Sequence, residues 1–195
     1  MRSPFAGLAL NEIRVKLSLT FPLEILTSSL EIKWNRVEGA KNTPITTVFI
    51  FSRQSGKCLD IAGASQEDGA ELIQYQFHGR ENQQFLLQPL KDGYYHLIVK
   101  HSGKCLAVPE TRQQNGVTVV QYAPHTDWID QQWQFQSLSK DYHRIVARHS
   151  GKCLDVSGCS IEDATPIIQH NIHSIVGHYN QEWMLLPADY LLRNS

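Results

Sequence analysis

The chain has 195 residues, 42% of them apolar, 9% aromatic and 19% charged, which are values of a globular protein rather than a disordered one. Its formal charge of −1 sets 18 Lys and Arg against 19 Asp and Glu with no basic cluster, so a nucleic-acid binder working through a basic stripe is not expected. No apolar run approaches the roughly 18 residues needed to span a bilayer, so membrane insertion is not expected either.

Residues 1–45 stand apart from the pattern that follows. Ile13, Val15, Leu17, Leu19 and Phe21 alternate before Pro22, and Leu30, Ile32 and Trp34 alternate again, which reads as one or two strands. A packing arm, a poorly ordered extension and a strand that joins two copies into a homo-oligomer are the alternatives. The opening MRSPFAGLAL, with one arginine and a proline in its short apolar stretch, makes a weak leader. Residues 1–44 hold six Lys and Arg against four Asp and Glu, leaving the rest of the chain at −3.

From Thr46 onward the chain is a threefold internal repeat. Ser-Gly-Lys-Cys-Leu-Asp at Ser55 to Asp60 returns as SGKCLA from Ser102 and as SGKCLD from Ser150, at offsets of 47 and 48 residues. A second marker follows in phase: NQQF from Asn82, DQQW from Asp130, NQEW from Asn180. Periods of this length mean units that cannot bury their apolar faces alone. Each unit opens with a β-branched or aromatic run, TTVFIFSRQ from Thr46, YYHLIVKHS from Tyr94 and YHRIVARHS from Tyr142, and each run feeds into Ser-Gly-Lys, a strand entering a tight turn. Glycine frees that turn, and the Cys-Leu-Asp strand after it puts Leu59, Leu106 and Leu154 on one side. A third strand is expected at Leu72 to Tyr75, Val119 to Tyr122 and Ile167 to His170, and a fourth at Gln84 to Leu87, Gln132 to Phe135 and Glu182 to Leu185. Four strands per unit give twelve, and a barrel capped by hairpins satisfies every edge.

These residues resemble the ricin B-chain-type lectins, β-trefoils marked by a CLD-type and a QxW motif in each of three lobes. The resemblance covers roughly Thr46 to Pro187, with QxW at Gln131 to Trp133 and Gln181 to Trp183 and Phe85 in the tryptophan place of the first lobe. It implies an all-β fold of pseudo-threefold symmetry over 46–188, with lobes at about 46–93, 94–141 and 142–188, an N-terminal extension over 1–45 and a tail over 189–195. Many secreted members pair the lobe cysteine with another two places beyond the lobe's ring. Here Phe77, Pro124 and Ile172 hold those places, so Cys58, Cys105 and Cys153 are expected as small buried side chains, in a chain suited to a reducing or leaderless setting. Cys159 lies outside the repeat.

Function is read from where the lobes differ. Asp60 is followed by Tyr75 fifteen places on, then Asn82 and Gln83; Asp155 is followed by His170, also fifteen on, then Asn180 and Gln181. The middle lobe has Ala107, Tyr122, Asp130 and Gln131 at these places, so its hydroxyl-gripping carboxylate is missing and the lobe is expected not to bind. A neutral sugar offers vicinal hydroxyls and one C–H face, and a carboxylate, a flat ring and an amide answer those three demands. In lectins of this kind the CLD aspartate, the downstream ring and the asparagine before QxW hold galactose-like sugars, and the glutamine buttresses the aspartate; the resemblance puts those roles on Asp60, Tyr75, Asn82 and Gln83, and on Asp155, His170, Asn180 and Gln181. An imidazole is a smaller ring that can charge at about pH 6.5, so the third lobe is expected to bind more weakly than the first.

Competing chemistry is less well supported. His170, His173 and His178 lie close in sequence, yet no Asp, Glu or Cys completes a metal-ligand spacing, and no cofactor is expected. Asp60 and Asp155 sit in different lobes, too far apart in a threefold body to act as a glycosidase pair across one bond. No nucleophile elbow, phosphate loop or Cys-His arrangement is visible, so the expectation is a lectin without catalysis. Its partners would be glycans of galactose, N-acetylgalactosamine or xylan type. The alternatives are a protein-interaction module with vestigial sugar sites, and a carbohydrate-binding module serving an enzyme in trans.

Overall fold

The computed structural model describes residues 46–173, 177 and 179–193. The expectations for the N-terminal extension, including a homo-oligomer formed through it, and for His178 lie outside these residues.

The first unit contributes β1 (Thr46–Ser52), β2 (Cys58–Ile61), β3 (Leu72–Tyr75) and β4 (Phe85–Pro89). The second contributes β5 (Tyr95–Val99), β6 (Cys105–Ala107), β7 (Val117–Thr118), β8 (Val120–Tyr122) and β9 (Trp133–Ser137). The third contributes β10 (His143–Ala147), β11 (Cys153–Val156), β12 (Thr165–His170) and β13 (Trp183–Pro187), and the short helix α1 (Ala188–Arg193) ends the described chain. The middle lobe's third strand is thus split into β7 and β8. Val119 lies at the break, where its N–H donates to Ile167 O of the third lobe and its carbonyl accepts from Leu72 N of the first. Its backbone serves two neighbouring lobes, so the ladder within its own lobe is interrupted there.

Six strands close a barrel in the order β1-β4-β5-β9-β10-β13, every pairing antiparallel. The seam is β1 on β13, with Val48 opposite Pro187 and Ser52 opposite Trp183. The remaining strands form three hairpins, β2-β3, β6-β8 and β11-β12, which cap one end. The hairpins are stitched to one another through β3-β12, β7-β12 and a single bridge between Glu71 and Val120. Closure therefore leaves neither the barrel nor the cap with a long open edge.

The Ser-Gly-Lys turn folds alike in every lobe. Gly56, Gly103 and Gly151 adopt φ of 72°, 69° and 66°, a left-handed conformation that costs glycine little. Their N–H groups donate back to Ser52, Val99 and Ala147 carbonyls at 2.8 to 2.9 Å. The turn thereby delivers the Cys-Leu-Asp strand at one angle three times. Leu59, Leu106 and Leu154 all point into the core, together with Phe85, Trp133 and Trp183, and all six are fully buried. The indole N–H groups of Trp133 and Trp183 donate to Leu106 O at 3.0 Å and Leu154 O at 3.2 Å, pinning the fourth strand to the second. A smaller cluster outside the barrel gathers Phe49, Phe51 and Cys58 with Met184, Leu186, Ala188 and Leu191, so α1 packs its apolar side on the β1-β13 seam.

Candidate functional site

In the first lobe, β2 carries Asp60 and a 3-10 turn at Glu81–Gln83 carries the two amides. Asn82 Nδ2 donates to Asp60 Oδ1 at 2.8 Å and Gln83 Nε2 donates to Asp60 Oδ2 at 2.9 Å. The third lobe repeats this, with Asn180 Nδ2 on Asp155 Oδ1 at 2.9 Å and Gln181 Nε2 on Asp155 Oδ2 at 2.8 Å. Each carboxylate is thus held by neighbouring side chains while being almost wholly buried, at 3% and 4% exposure. Tyr75 ends β3 opposite Cys58 and His170 ends β12 opposite Cys153, and both rings are half-buried.

One partner was not anticipated. His78 Nε2 lies 3.1 Å from Asp60 Oδ2, and His173 Nε2 lies 3.5 Å from Asp155 Oδ2. A signal for it exists in the sequence: a histidine stands eighteen places after Asp60, Ala107 and Asp155 alike, as His78, His125 and His173. The glutamine before each aromatic plug fixes this histidine's backbone, since Gln83, Gln131 and Gln181 Oε1 accept from the N–H of His78, His125 and His173 at 2.9, 2.9 and 3.1 Å. Glutamine is therefore loop anchor in all lobes and aspartate donor in two. An ionised carboxylate has about four acceptor positions. Three of those on Asp60 face protein donors, so one hydroxyl, rather than two, can be taken without displacing His78.

Burial pushes the Asp60 carboxyl above its ordinary value, opposed by Gln83, the charge of His78 and Asn82. Asp155 is raised for the same reason, against Gln181, His170 and Asn180. Both stay hungry for a further donor. The cysteines behave as packing groups: no disulfide joins them, Cys58, Cys105 and Cys153 are fully buried, and burial lifts the thiols of Cys105 and Cys153 up to about 12. Among the described residues, no cluster of three His, Cys, Asp or Glu is placed to hold a metal ion.

A family model described as ricin-type β-trefoil lectin domain-like matches residues 33–122 and 129–195. The chain belongs to this family. The ricin-type domain also matches solved structures. A designed threefold-symmetric protein, ThreeFoil, is 42% identical with a TM-score of 0.68, covering 72% of this chain and 97% of its own. An exo-β-1,3-galactanase from Clostridium thermocellum is 30% identical at a TM-score of 0.68, over 77% of this chain and 31% of the galactanase. A ricin B-like lectin of Macrolepiota procera, solved with lactose, is 19% identical at a TM-score of 0.61, over 75% and 98% of the two chains, and shows the shared fold. A search of curated proteins gave no match.

The middle lobe of this ricin-type domain departs from the other two. Ala107 is buried where the aspartates stand, and Asp130, on the 3-10 turn Ile129–Gln131, replaces the asparagine. Without a carboxylate to meet, His125 stacks on Trp128 with ring centroids 3.7 Å apart and planes inclined by 15°.

Proposed function

We propose that the protein is a non-catalytic lectin that binds galactose-type sugars through its first and third lobes. The observation that carries this reading is the twofold recurrence of one arrangement: a buried carboxylate held by an asparagine, a glutamine and a histidine, with a tyrosine or histidine ring at the end of the strand paired to it. Such a carboxylate has little water to lose and retains acceptor capacity, so a sugar hydroxyl gains a charge-assisted hydrogen bond of about 1.5 to 3 kcal/mol. Tyr75 supplies the apolar face that a pyranose C–H surface requires. A galactose-type ring suits a stacking site because its axial 4-hydroxyl leaves a wider apolar patch.

A single shallow site of this kind binds with a dissociation constant of order 1 mM, and two sites on one glycan array multiply that through avidity. The likeness to part of a galactanase favours a second reading, in which the domain brings an enzyme acting in trans to its polysaccharide. A glycan array separates both from a protein-interaction module. Selective signal on galactosides, reduced at least about tenfold by Asp60→Ala with Asp155→Ala, is the expected result. Silence on every glycan would end the sugar-binding reading.

A further inference from the structure

The middle lobe holds a built hollow of about 530 Å³. Its lining includes Ala107, Glu110, Tyr122, Asp127, Trp128 and Asp130. Among the described residues, no lysine or arginine lines it. Asp130 is 6% exposed, yet its Oδ1 is buried without any hydrogen-bond partner. A buried acceptor with no donor is destabilising, so an unmatched one in a residue on the wall of a hollow points to something that fills it.

The pair of differences makes sense together. In the outer lobes an aspartate on the second strand is met by an asparagine from the 3-10 turn. In the middle lobe the strand has lost its carboxylate to Ala107 and the turn has gained one at Asp130, so the acid has crossed from one wall to the other. Had both walls been acidic, two carboxylates would face each other at hydrogen-bond range, which only protonation of one relieves. Ala107 also clears the volume into which Asp130 looks. The rings differ as well. Tyr122 and Trp128 are 37% and 42% exposed, lie in tilted contact with centroids 6.1 Å apart, and both line the hollow. His125 covers one face of the Trp128 indole.

We infer that the middle lobe is a separate binding site for a saccharide carrying a protonated amine, with Asp130 as its ion partner and Trp128 and Tyr122 as its stacking walls. Three carboxylates border the hollow. Glu110 is held at the rim by Arg112, through Nε at 3.0 Å and Nη2 at 2.6 Å, which leaves Asp127 and Asp130 to set the local sign. An ammonium on a sugar ring can pair with the Asp130 carboxylate and lie against exposed indole and phenol faces, both of which favour a cation. His125 and His149 are the other titratable groups whose charge reaches Asp130. Backbone N–H groups of Asp130 and Thr111 already face this carboxylate, so an uncharged sugar adds the ring contacts and an ammonium adds the charge pairing as well.

This site uses none of the residues of the proposed galactoside sites, though calling its ligand a saccharide rests on the lectin reading. The test uses the full chain with Asp60→Ala and Asp155→Ala, titrated with galactosamine, glucosamine, galactose and N-acetylgalactosamine while the Trp128 indole N–H is followed by NMR. The expected result is saturable movement with the two amino sugars, at least about tenfold tighter than with galactose and weakened by added salt. Asp130→Asn, which installs the residue that the other lobes carry at this place, should abolish the difference between amino and neutral sugars. Equal response to all four sugars, an unchanged preference in Asp130→Asn, or no response at Trp128 in a folded protein would overturn the inference. Galactose binding by the unsubstituted chain reports on the outer lobes separately, so either reading can fail alone.

Discussion

Asp60 shows how one residue can serve scaffold and ligand together. It is buried, raised by desolvation, and yet bonded by Asn82, Gln83 and His78. A carboxyl whose folded value lies above that of the unfolded chain takes up its proton first in the folded state as pH falls, so its contribution to stability grows as pH drops through the folded value towards 3.8. The protonated group has lost acceptor strength, so sugar binding weakens over that interval. Two readouts should therefore move in opposite directions. Relative to Asp60→Asn, which cannot titrate, the wild-type melting temperature should gain as pH is lowered from about 7 to about 4, while wild-type affinity for galactosides declines. A gap between the two proteins that does not vary with pH would remove Asp60 from this account. His78 was not legible from sequence because it lies in the loop between the hexapeptide and the QxW marker and is recognisable only by its constant offset of eighteen places from Asp60.

At the scale of elements, the hairpin turn determines where the aspartate goes. The residue at Gly103 has φ of +69°, and a Cβ built there meets nothing within 4 Å. Gly103→Ala thus isolates backbone strain from any clash. It should cost about 1 to 2 kcal/mol and lower the melting temperature by several degrees, measured by calorimetry. An unchanged melting temperature would mean that the turn relaxes into another form. Strand positions were readable because alternation and β-branching are local properties: the second strand's leucines fall in the core in all three lobes. The split of the middle lobe's third strand was not readable, because Val119 breaks its own ladder to bond with Ile167 and Leu72, residues 48 and 47 places away in sequence.

At the scale of the molecule, the lobes are locked in a cycle by three buried glutamines. Gln74 Nε2 donates to Ser160 O and Glu162 O, Gln121 Nε2 to Ser65 O and Glu67 O, and Gln169 Nε2 to Arg112 O and Gln114 O, all at 2.7 to 3.0 Å. Each amide oxygen accepts from the serine of its own Ser-Gly-Lys turn at 2.7 to 2.8 Å. Every lobe therefore clasps the one before it, and the third clasp closes the ring. Gln121→Met keeps the volume but removes three hydrogen bonds, stranding the Glu67 carbonyl, leaving the Ser65 carbonyl to His101 alone and taking the acceptor from the Ser102 hydroxyl, so it should cost about 2 to 4 kcal/mol in denaturant unfolding. Lys104→Met, which removes the exposed ion pair to Asp68 across the same junction, should cost under about 1 kcal/mol. Equal losses would refute the clasp as a main tie between lobes.

The sequence by itself determined the threefold repeat, the strand pattern, the aromatic plugs and the candidate carboxylates, since periodicity and composition are carried by neighbours along the chain. Only the tertiary structure decided which side chains meet. Asp60 and Gln83 stand 23 residues apart and touch because closure of the first lobe brings β2 and the 3-10 turn together. Closure of the middle lobe left Asp130 beside a hollow, with no donor on its Oδ1. A buried group's partners are fixed by packing in three dimensions, and one-dimensional spacing does not encode which of its lone pairs remain open.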